Sequence, residues 1–517
     1  MPDNYTPNNQ VFSAYTPFRN LLRKMDLFKS LQAVWAHSVF QQFNRKLPPY
    51  IINCPIGYRH ATNTHDFIKF HMHLWELETV TKEILINSPE LGANKNLANW
   101  RYLSKTVNRL KELEETIAQI FSTQENVLLE LHRISHRQFP WQTLPTSDKL
   151  IRYWKIYEPL QDYFKQKYEI DFDVYMTISM MLFGFYLDHF ALIYPPNIEL
   201  RQIKQVYFDN FLKYTCRKAS ELESELKSQL KMNQDYVYAY HSLKAYPLVK
   251  ADFQTNEYVT CPLPTLLLNR TTEGIFYDLI NVPGFDNAFG NSFQNYVGSY
   301  LKKRTNQYCE VLPEQTYGPR RHKKQTIDWI VTDQENSALF IECKTKRMTV
   351  GAKAALTNLE LLQADLNKIA EAVVQTYETT IDYENGLYPQ RDNSPYRKIY
   401  IIIATLEEWY LFGDKTKLLL EQEVLSIFRE KGLDSNYLKK YHYFIISTEN
   451  IEILGELLTK RTIQDIFQPK LEDPNLSLWH IRTYLYDKFP SELSTITNPF
   501  EEEYNHFLDR TLEKMQT

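Results

Sequence analysis

The stretch Gln325–Arg347, QTIDWIVTDQENSALFIECKTKR, decides how this chain is read. Two short runs rich in Ile, Val, Phe and Trp, Thr326–Thr332 and Ala338–Lys344, flank the polar segment Asp333–Ser337. β-Branched and aromatic side chains suit a pleated surface, while Asp, Asn and Ser suit turns, so the stretch reads as a hairpin. Folded symmetrically about Glu335, it sets Asp328 opposite Glu342. Side chains alternate along a strand, so Lys344 shares that face and Cys343 points the other way. Carboxylates directly opposite each other repel, and one that leaves water without a partner is costly. A hard divalent cation resolves this conflict. Magnesium takes oxygen ligands, commonly one or two carboxylates plus water and substrate phosphate. Such an ion activates water and stabilises charge on a phosphoryl oxygen. An adjacent ammonium orients that water or neutralises the charge that develops.

Around this stretch the composition is ordinary. The chain has 517 residues, enough for two or three domains, with 43% hydrophobic and 24% charged residues. Gly is scarce (13) and Tyr abundant (36), which excludes a flexible low-complexity protein. The net charge is −4, so a polyanion partner requires locally concentrated positive charge. Cys54, Cys216, Cys261, Cys309 and Cys343 form no CxxC pair, which argues against a zinc knuckle or disulfide framework and fits a reducing cytosol. The N-terminal segment lacks the basic start and apolar core of a signal peptide. The most apolar window, Met176–Tyr194, carries Asp188 and His189 and ends at Pro195-Pro196, so a buried helix is expected there. The expectation is a cytoplasmic protein without a membrane partner.

Residues 1–60 read as irregular, with a helix near Phe18–Phe43. From Asp66 to Met232 helical spacing dominates, as in Leu103, Val107, Leu110, Leu113, Ile117 and Ile120, and in Leu222, Leu226 and Leu230. His71 and His73, or His132 and His136, could share a metal, but the second pair lacks the glutamate of a zinc HExxH motif and neither has an evident third ligand. Near Gln234–Phe253 the helical period stops, and Tyr246-Pro247 and Cys261–Pro264 impose extended chain. Then follow a helix over Asn291–Arg304, a strand over Gln307–Leu312 and the hairpin. A long helix over Ala352–Thr379 and an apolar strand over Ile399–Ala404 complete the order. Lys415–Lys431 and Glu449–Leu458 read as helices around a strand, Tyr441–Ser447.

The pattern D-x(13)-E-C-K at Asp328, Glu342 and Lys344, within an αβββαβ order, resembles the PD-(D/E)xK phosphodiesterase superfamily. That group includes restriction endonucleases, Holliday-junction resolvases and RecB-type exonucleases. Ile327 stands where the motif has proline. The resemblance implies a restriction-endonuclease-like α/β core with a mixed sheet, and a Mg2+ or Mn2+ ion held by Asp328, Glu342 and the backbone carbonyl of Cys343. It also implies that Lys344 assists the attacking water. Gln294, in GNSFQNYV, replaces a glutamate that many members carry on the first helix; it brings no charge, but its amide oxygen can still orient a water or bind a metal weakly, so the resemblance adds it to the catalytic set of Asp328, Glu342 and Lys344. Gln375 is similar to a glutamine of some RecB-like members, although a surface residue fits its place better. Arg133 and His136 resemble the Arg–His pair of HEPN ribonucleases only loosely, at too short a spacing.

Charge agrees with a polyanion partner. Leu301–Lys353 holds eleven Lys and Arg against six Asp and Glu. Arg320, Arg321, Lys323 and Lys324 lead into the Asp328 strand, and Lys346 and Arg347 follow Lys344, as phosphate contacts require. The expected organisation is an all-α N-terminal region over residues 1–245 for sensing or partner binding. A nuclease domain over 246–464 and a helical extension over 465–517 complete it. The implied activity is a metal-dependent nuclease, acting on DNA sooner than RNA, with restriction or antiviral defence as the setting by analogy. The competing reading is a silent nuclease-fold subunit that binds nucleic acid or serves as a scaffold.

Overall fold

The computed structural model describes residues 9–124, 126–142, 147–196, 203–253, 256–356, 358–388, 395–411, 414–496 and 500–516. The first eight residues of the stretch expected to be irregular lie outside these. Where one helix is expected near Phe18–Phe43, two form, Asn9–Leu22 and Leu27–Phe43. Asp26 separates them: its carboxylate accepts the main-chain N–H of Lys29 at 2.8 Å and caps the second helix. The helix Trp100–Phe121 buries Leu103, Val107, Leu110, Leu113 and Ile117, the stripe its spacing indicates.

The N-terminal region is helix-rich but not all-α. The apolar window ends its helix, Phe172–Asp188, early and continues as β1 (Ala191–Tyr194). Tyr194 precedes Pro195, which disfavours helical backbone there. β1 joins β2 (Cys216–Lys218), β3 (Leu248–Phe253) and β4 (Asn256–Thr260) in a four-stranded sheet ordered β1-β4-β3-β2. Asp188, at the end of the Phe172–Asp188 helix, forms an exposed ion pair with Arg45. No single helix among the described residues is long and apolar enough to cross a membrane, although Asp148–Tyr168 and Phe172–Asp188, bent by 86°, pass that test as a pair. In these two helices Tyr157, Tyr175 and Met176 are fully buried within the protein.

The second sheet carries the hairpin. Its strands are β5 (Cys309–Pro313), β8 (Trp329–Asp333), β9 (Ser337–Lys344), β10 (Lys398–Thr405) and β11 (Tyr443–Ser447), and a two-stranded ribbon, β6 (Thr316–Tyr317) with β7 (Lys324–Gln325), stands between β5 and β8 in sequence. The order is β11-β10-β9-β8-β5, with β9, β10 and β11 parallel and β8 antiparallel to both β5 and β9. The helix Phe285–Thr305 precedes β5, and the helices Val350–Lys353 and Glu360–Glu384 link β9 to β10. The αβββαβ order is therefore present within a mixed sheet. The single long helix expected from Ala352 is two helices. Asn358 starts the second by accepting the N–H of Glu360 at 2.9 Å.

Alternation divides the buried strand residues cleanly. Leu339, Ile341, Tyr400, Ile402 and Val331 enter the apolar cluster that contains Phe289, Phe293 and Val297 of the first helix. Ile330, Ala338, Phe340, Ile399, Ile401 and Ile403 enter another, with Leu366, Ile369 and Val373 of the crossover helix. The first of these clusters extends from Leu150 to Phe507, so one core continues across position 245. A buried polar join runs along it: Arg152 donates Nε and Nη2 to Glu452 at 2.5 and 2.6 Å, and Tyr296 donates to the same carboxylate at 2.7 Å.

Candidate metal and nucleic-acid site

The β8–β9 turn sets the register that everything else depends on. Asp333 accepts the N–H groups of Glu335 and Ser337 at 3.0 and 2.9 Å, and Asn336 takes the left-handed conformation with φ 61°. Asn tolerates that conformation better than most residues. The resulting pairs run from Thr332 with Ala338 to Trp329 with Ile341. The pairing ends there, and Asp328, one residue before Trp329, lies close to Glu342, as folding about Glu335 leads one to expect. Asp328 Oδ2 accepts the N–H of Cys343 at 2.7 Å, which fixes its carboxylate at the mouth of the hairpin. The N–H and C=O of one strand residue point to the same edge, so the Cys343 carbonyl also points toward Asp328.

Lys344 lies on that face as well. Its Nζ is 2.8 Å from Glu342 Oε1 and 3.4 Å from Gln375 Oε1 on the crossover helix. Gln375 is exposed, as a surface glutamine would be, yet it also reaches the lysine. Among the described residues Asp328 Oδ1 and Glu342 Oε2 accept no hydrogen bond, so each carboxylate keeps one oxygen for a ligand. Burial, and then the charge of Glu342, push the Asp328 carboxyl up to about 7, against the opposing Cys343 N–H and Lys344. Two close carboxylates that resist joint ionisation, each with a spare oxygen, fit a divalent cation. Burial also raises the Cys343 thiol well above its ordinary range, so it is an inert side chain on the far face.

No hydrogen bond joins Gln294 to these three among the described residues. The residue lies on the helix covering the other face, and its main-chain carbonyl accepts Trp329 Nε1 at 2.9 Å. Gly298, one turn on, makes room for that indole: a Cβ there would lie 2.0 Å from the ring. Gly298 thus seats the residue next to Asp328, a role that sequence spacing does not disclose.

The basic residues fall into two groups. Arg320, Arg321 and Lys323 are exposed on the β6–β7 ribbon and have no carboxylate partner among the described residues. Gly318 closes the ribbon with φ +87°, where a Cβ would lie 2.8 Å from the His322 carbonyl. The ribbon's base is tied down: Tyr317 and Lys324 each reach Asp382 at 2.6 Å, and the Ile327 N–H donates to Tyr388 Oη at 3.3 Å, one residue from Asp328. Lys346 pairs with Asp365 at 2.9 Å. Arg347 does not extend to the surface. It is 6% exposed, pairs with Glu407 at 3.0 Å and packs over Phe276, because its guanidinium finds a buried carboxylate and an aromatic face. The exposed basic surface is therefore the ribbon, and Arg347 is interior.

The histidine pairs form no metal cluster: among the described residues no group of three or more His, Cys, Asp and Glu converges. His132 bonds the Ala352 carbonyl at 3.1 Å, and Arg133 pairs with Glu130 at 3.2 Å. No protein-family model matches the chain, and no curated protein or solved structure matches it.

Proposed function

We propose that the chain is a metal-dependent nuclease that hydrolyses phosphodiester bonds, in DNA sooner than RNA, through a PD-(D/E)xK-type site. The observation that carries this reading is the mouth of the hairpin, where the Cys343 N–H holds Asp328 at 2.7 Å and Lys344 Nζ lies 2.8 Å from Glu342. Asp328, Glu342 and the Cys343 carbonyl would hold Mg2+ or Mn2+. When bound, that ion supplies a Lewis acid for the phosphoryl oxygen and an acidified water. The chain's own contribution is positional. The Cys343 N–H holds Asp328, and Glu342 and Gln375 hold the ammonium of Lys344 where it can steady a water or a developing oxyanion. Arg320, Arg321 and Lys323 supply the phosphate-backbone contacts. The N-terminal region would bind a partner or target, with restriction or antiviral defence as the setting.

One observation favours a second reading, a nuclease-fold subunit without cleavage. Gln294 adds no charge, and its main chain serves the Trp329 indole instead. Cleavage assays with magnesium and then manganese separate the two readings. They use supercoiled, linear and single-stranded DNA plus RNA, with the wild type beside Lys344→Ala. Cleavage by the wild type alone supports the nuclease. Equal cleavage by both proteins, or none by either on every substrate, removes Lys344 from the mechanism.

A further inference from the structure

The β6–β7 ribbon holds its charge in a fixed shape. The His322 N–H donates to the Pro319 carbonyl at 2.8 Å, which closes a β-turn with Arg320 and Arg321 at its two corners. Gly318 permits the closure, since its φ of +87° brings the chain back against the His322 carbonyl. All four strand side chains below the turn are engaged on the protein itself. Thr316 Oγ1 donates to Gln325 at 3.0 Å, and Tyr317 and Lys324 meet at Asp382. The Tyr317 ring also packs 5.2 Å from that of Tyr388. At the foot of the ribbon the Gln315 N–H donates to Thr326 Oγ1 at 2.8 Å, and the Thr326 N–H donates to the Gln315 carbonyl at 2.9 Å. The ribbon is thus a short braced projection with exposed cations at its tip.

Its distance from the carboxylate pair follows from the crossover helix Glu360–Glu384. Gln375, which reaches Lys344, and Asp382, which anchors the ribbon, both lie on this helix, seven residues apart, or about 10 Å along its axis. The tip stands at most about 10 Å beyond Lys324, three residues at the rise of a strand. The minor groove of B-DNA is about 7.5 Å deep and about 6 Å wide. A tip of this reach, braced at this spacing from Lys344, can enter that groove while a phosphate on its rim lies at the carboxylates.

Composition and shape single out this groove. The tip, Pro319 to Lys323, holds no Phe, Tyr or Trp, and Tyr317 is buried, so the ribbon offers no platform on which the bases of a single strand stack. The major groove admits a whole two-stranded ribbon, which reads bases through its strand side chains, but here those side chains are engaged. A turn with an arginine at each corner is instead the narrow end of a wedge. Arginine is drawn into narrow A·T-rich minor grooves, where the negative potential of the two phosphate rows is concentrated. A guanidinium is also more weakly hydrated than an ammonium, so it leaves water more readily. The minor groove of an RNA duplex is wide and shallow and lacks this concentration.

We propose that the ribbon tip enters the minor groove of B-form duplex DNA, with Arg320 and Arg321 between the two phosphate rows and Lys323 on the rim. The insertion is a statement about binding; only its purpose, bringing a phosphate to Asp328 and Glu342, rests on the nuclease reading. Fluorescence anisotropy of the full chain in chelator tests it, with labelled A·T-tract and G·C-rich DNA duplexes of one length, an RNA duplex and a single strand. The A·T duplex should bind at least about fivefold tighter than the others, the low end of discrimination at one base pair. Distamycin, which fills the minor groove, should displace the protein, and methyl green, which occupies the major groove, should not. Arg320→Lys with Arg321→Lys keeps the charge and should keep the salt dependence while losing the A·T preference. Gly318→Ala keeps every cation but puts a Cβ 2.8 Å from the His322 carbonyl, so it should lose the preference too. These positions are exposed, so the variants leave the core intact. The proposal is overturned if the two DNA duplexes bind equally, if the single strand or the RNA duplex binds as tightly, if the Arg320→Lys, Arg321→Lys protein keeps the preference, or if no nucleic acid binds. Cleavage is scored separately in magnesium. Cleavage without A·T-selective binding removes the insertion and keeps the nuclease, whereas A·T-selective binding without cleavage keeps the insertion and removes the nuclease.

Discussion

Replacing Asp328 by asparagine should move stability and metal binding in opposite directions. Asparagine still accepts the Cys343 N–H but carries no charge toward Glu342. The wild-type carboxyl rises from 3.8 to about 7 on folding, chiefly through burial and then through Glu342. A rise of this size corresponds to at most about 4 kcal/mol, and water reaching a partly exposed carboxylate lowers the expected effect to about 2 kcal/mol. Between the two values the folded state binds more protons than the unfolded state. The benefit of the protonated form is thus fully present below pH 3.8 and is lost as pH rises through about 7. At pH 8 with chelator, Asp328→Asn should be more stable than the wild type by about 2 kcal/mol, and the gap should close toward pH 4. On the proposed function, a divalent cation should bind the ionised form and restore the wild type alone, by about 2.7 kcal/mol at a hundredfold excess over its dissociation constant. Urea unfolding at pH 4, 6 and 8, with chelator and then with magnesium or manganese, measures all of this. A variant less stable than the wild type at pH 8, or equal stabilisation of both proteins by metal, would falsify the account of this pair.

Gly298→Ala places a Cβ into the Trp329 indole and should cost about 1–3 kcal/mol by overpacking; a red-shifted tryptophan emission in the folded state would report the displaced ring, and an unchanged midpoint and spectrum would refute the seat. Arg152→Met strands Glu452 among buried groups and should cost about 3–5 kcal/mol; thermal unfolding that scarcely moves would show that the pair does not join the helical region to the sheet. Changing Arg320, Arg321 and Lys323 together to Gln should flatten the salt dependence of nucleic-acid binding by about 3 in log–log slope. An unchanged slope would place the phosphate contacts elsewhere.

The hairpin was legible because its information is local. Apolar alternation, a turn-forming Asp333 and an Asn at the left-handed position suffice to fix which residues face each other, and the structure pairs them as expected. The αβββαβ order was legible for a similar reason, since each element carries its own period. Arg347 was misplaced because charge in a sequence does not say where it is spent, and Glu407, its partner, lies sixty residues away. Gln375 is exposed, as its sequence suggests, but a helix face read from sequence does not disclose the neighbour it overhangs, here Lys344. The strands β1 and β2 were missed because each is short and depends on partners, β4 and β3, that arrive much later in the chain.

The parallel pairing of β9 with β10 also bears on the order in which the site is assembled. β8 and β9 close through a short turn, an event of about 1–10 μs in isolated hairpins. β10 must wait for a crossover that runs from Lys344 to Lys398, and pairings of such separation form slowly. Asp328 and Glu342 are therefore expected to meet early, while both are still hydrated and repel weakly. Their mutual cost falls due only when the helix Glu360–Glu384 covers the sheet face they share. A stabilising ion that acts only at that late stage leaves the rate of folding almost untouched and lengthens the lifetime of the folded protein instead. Metal would then be felt as protection against slow unfolding and proteolysis.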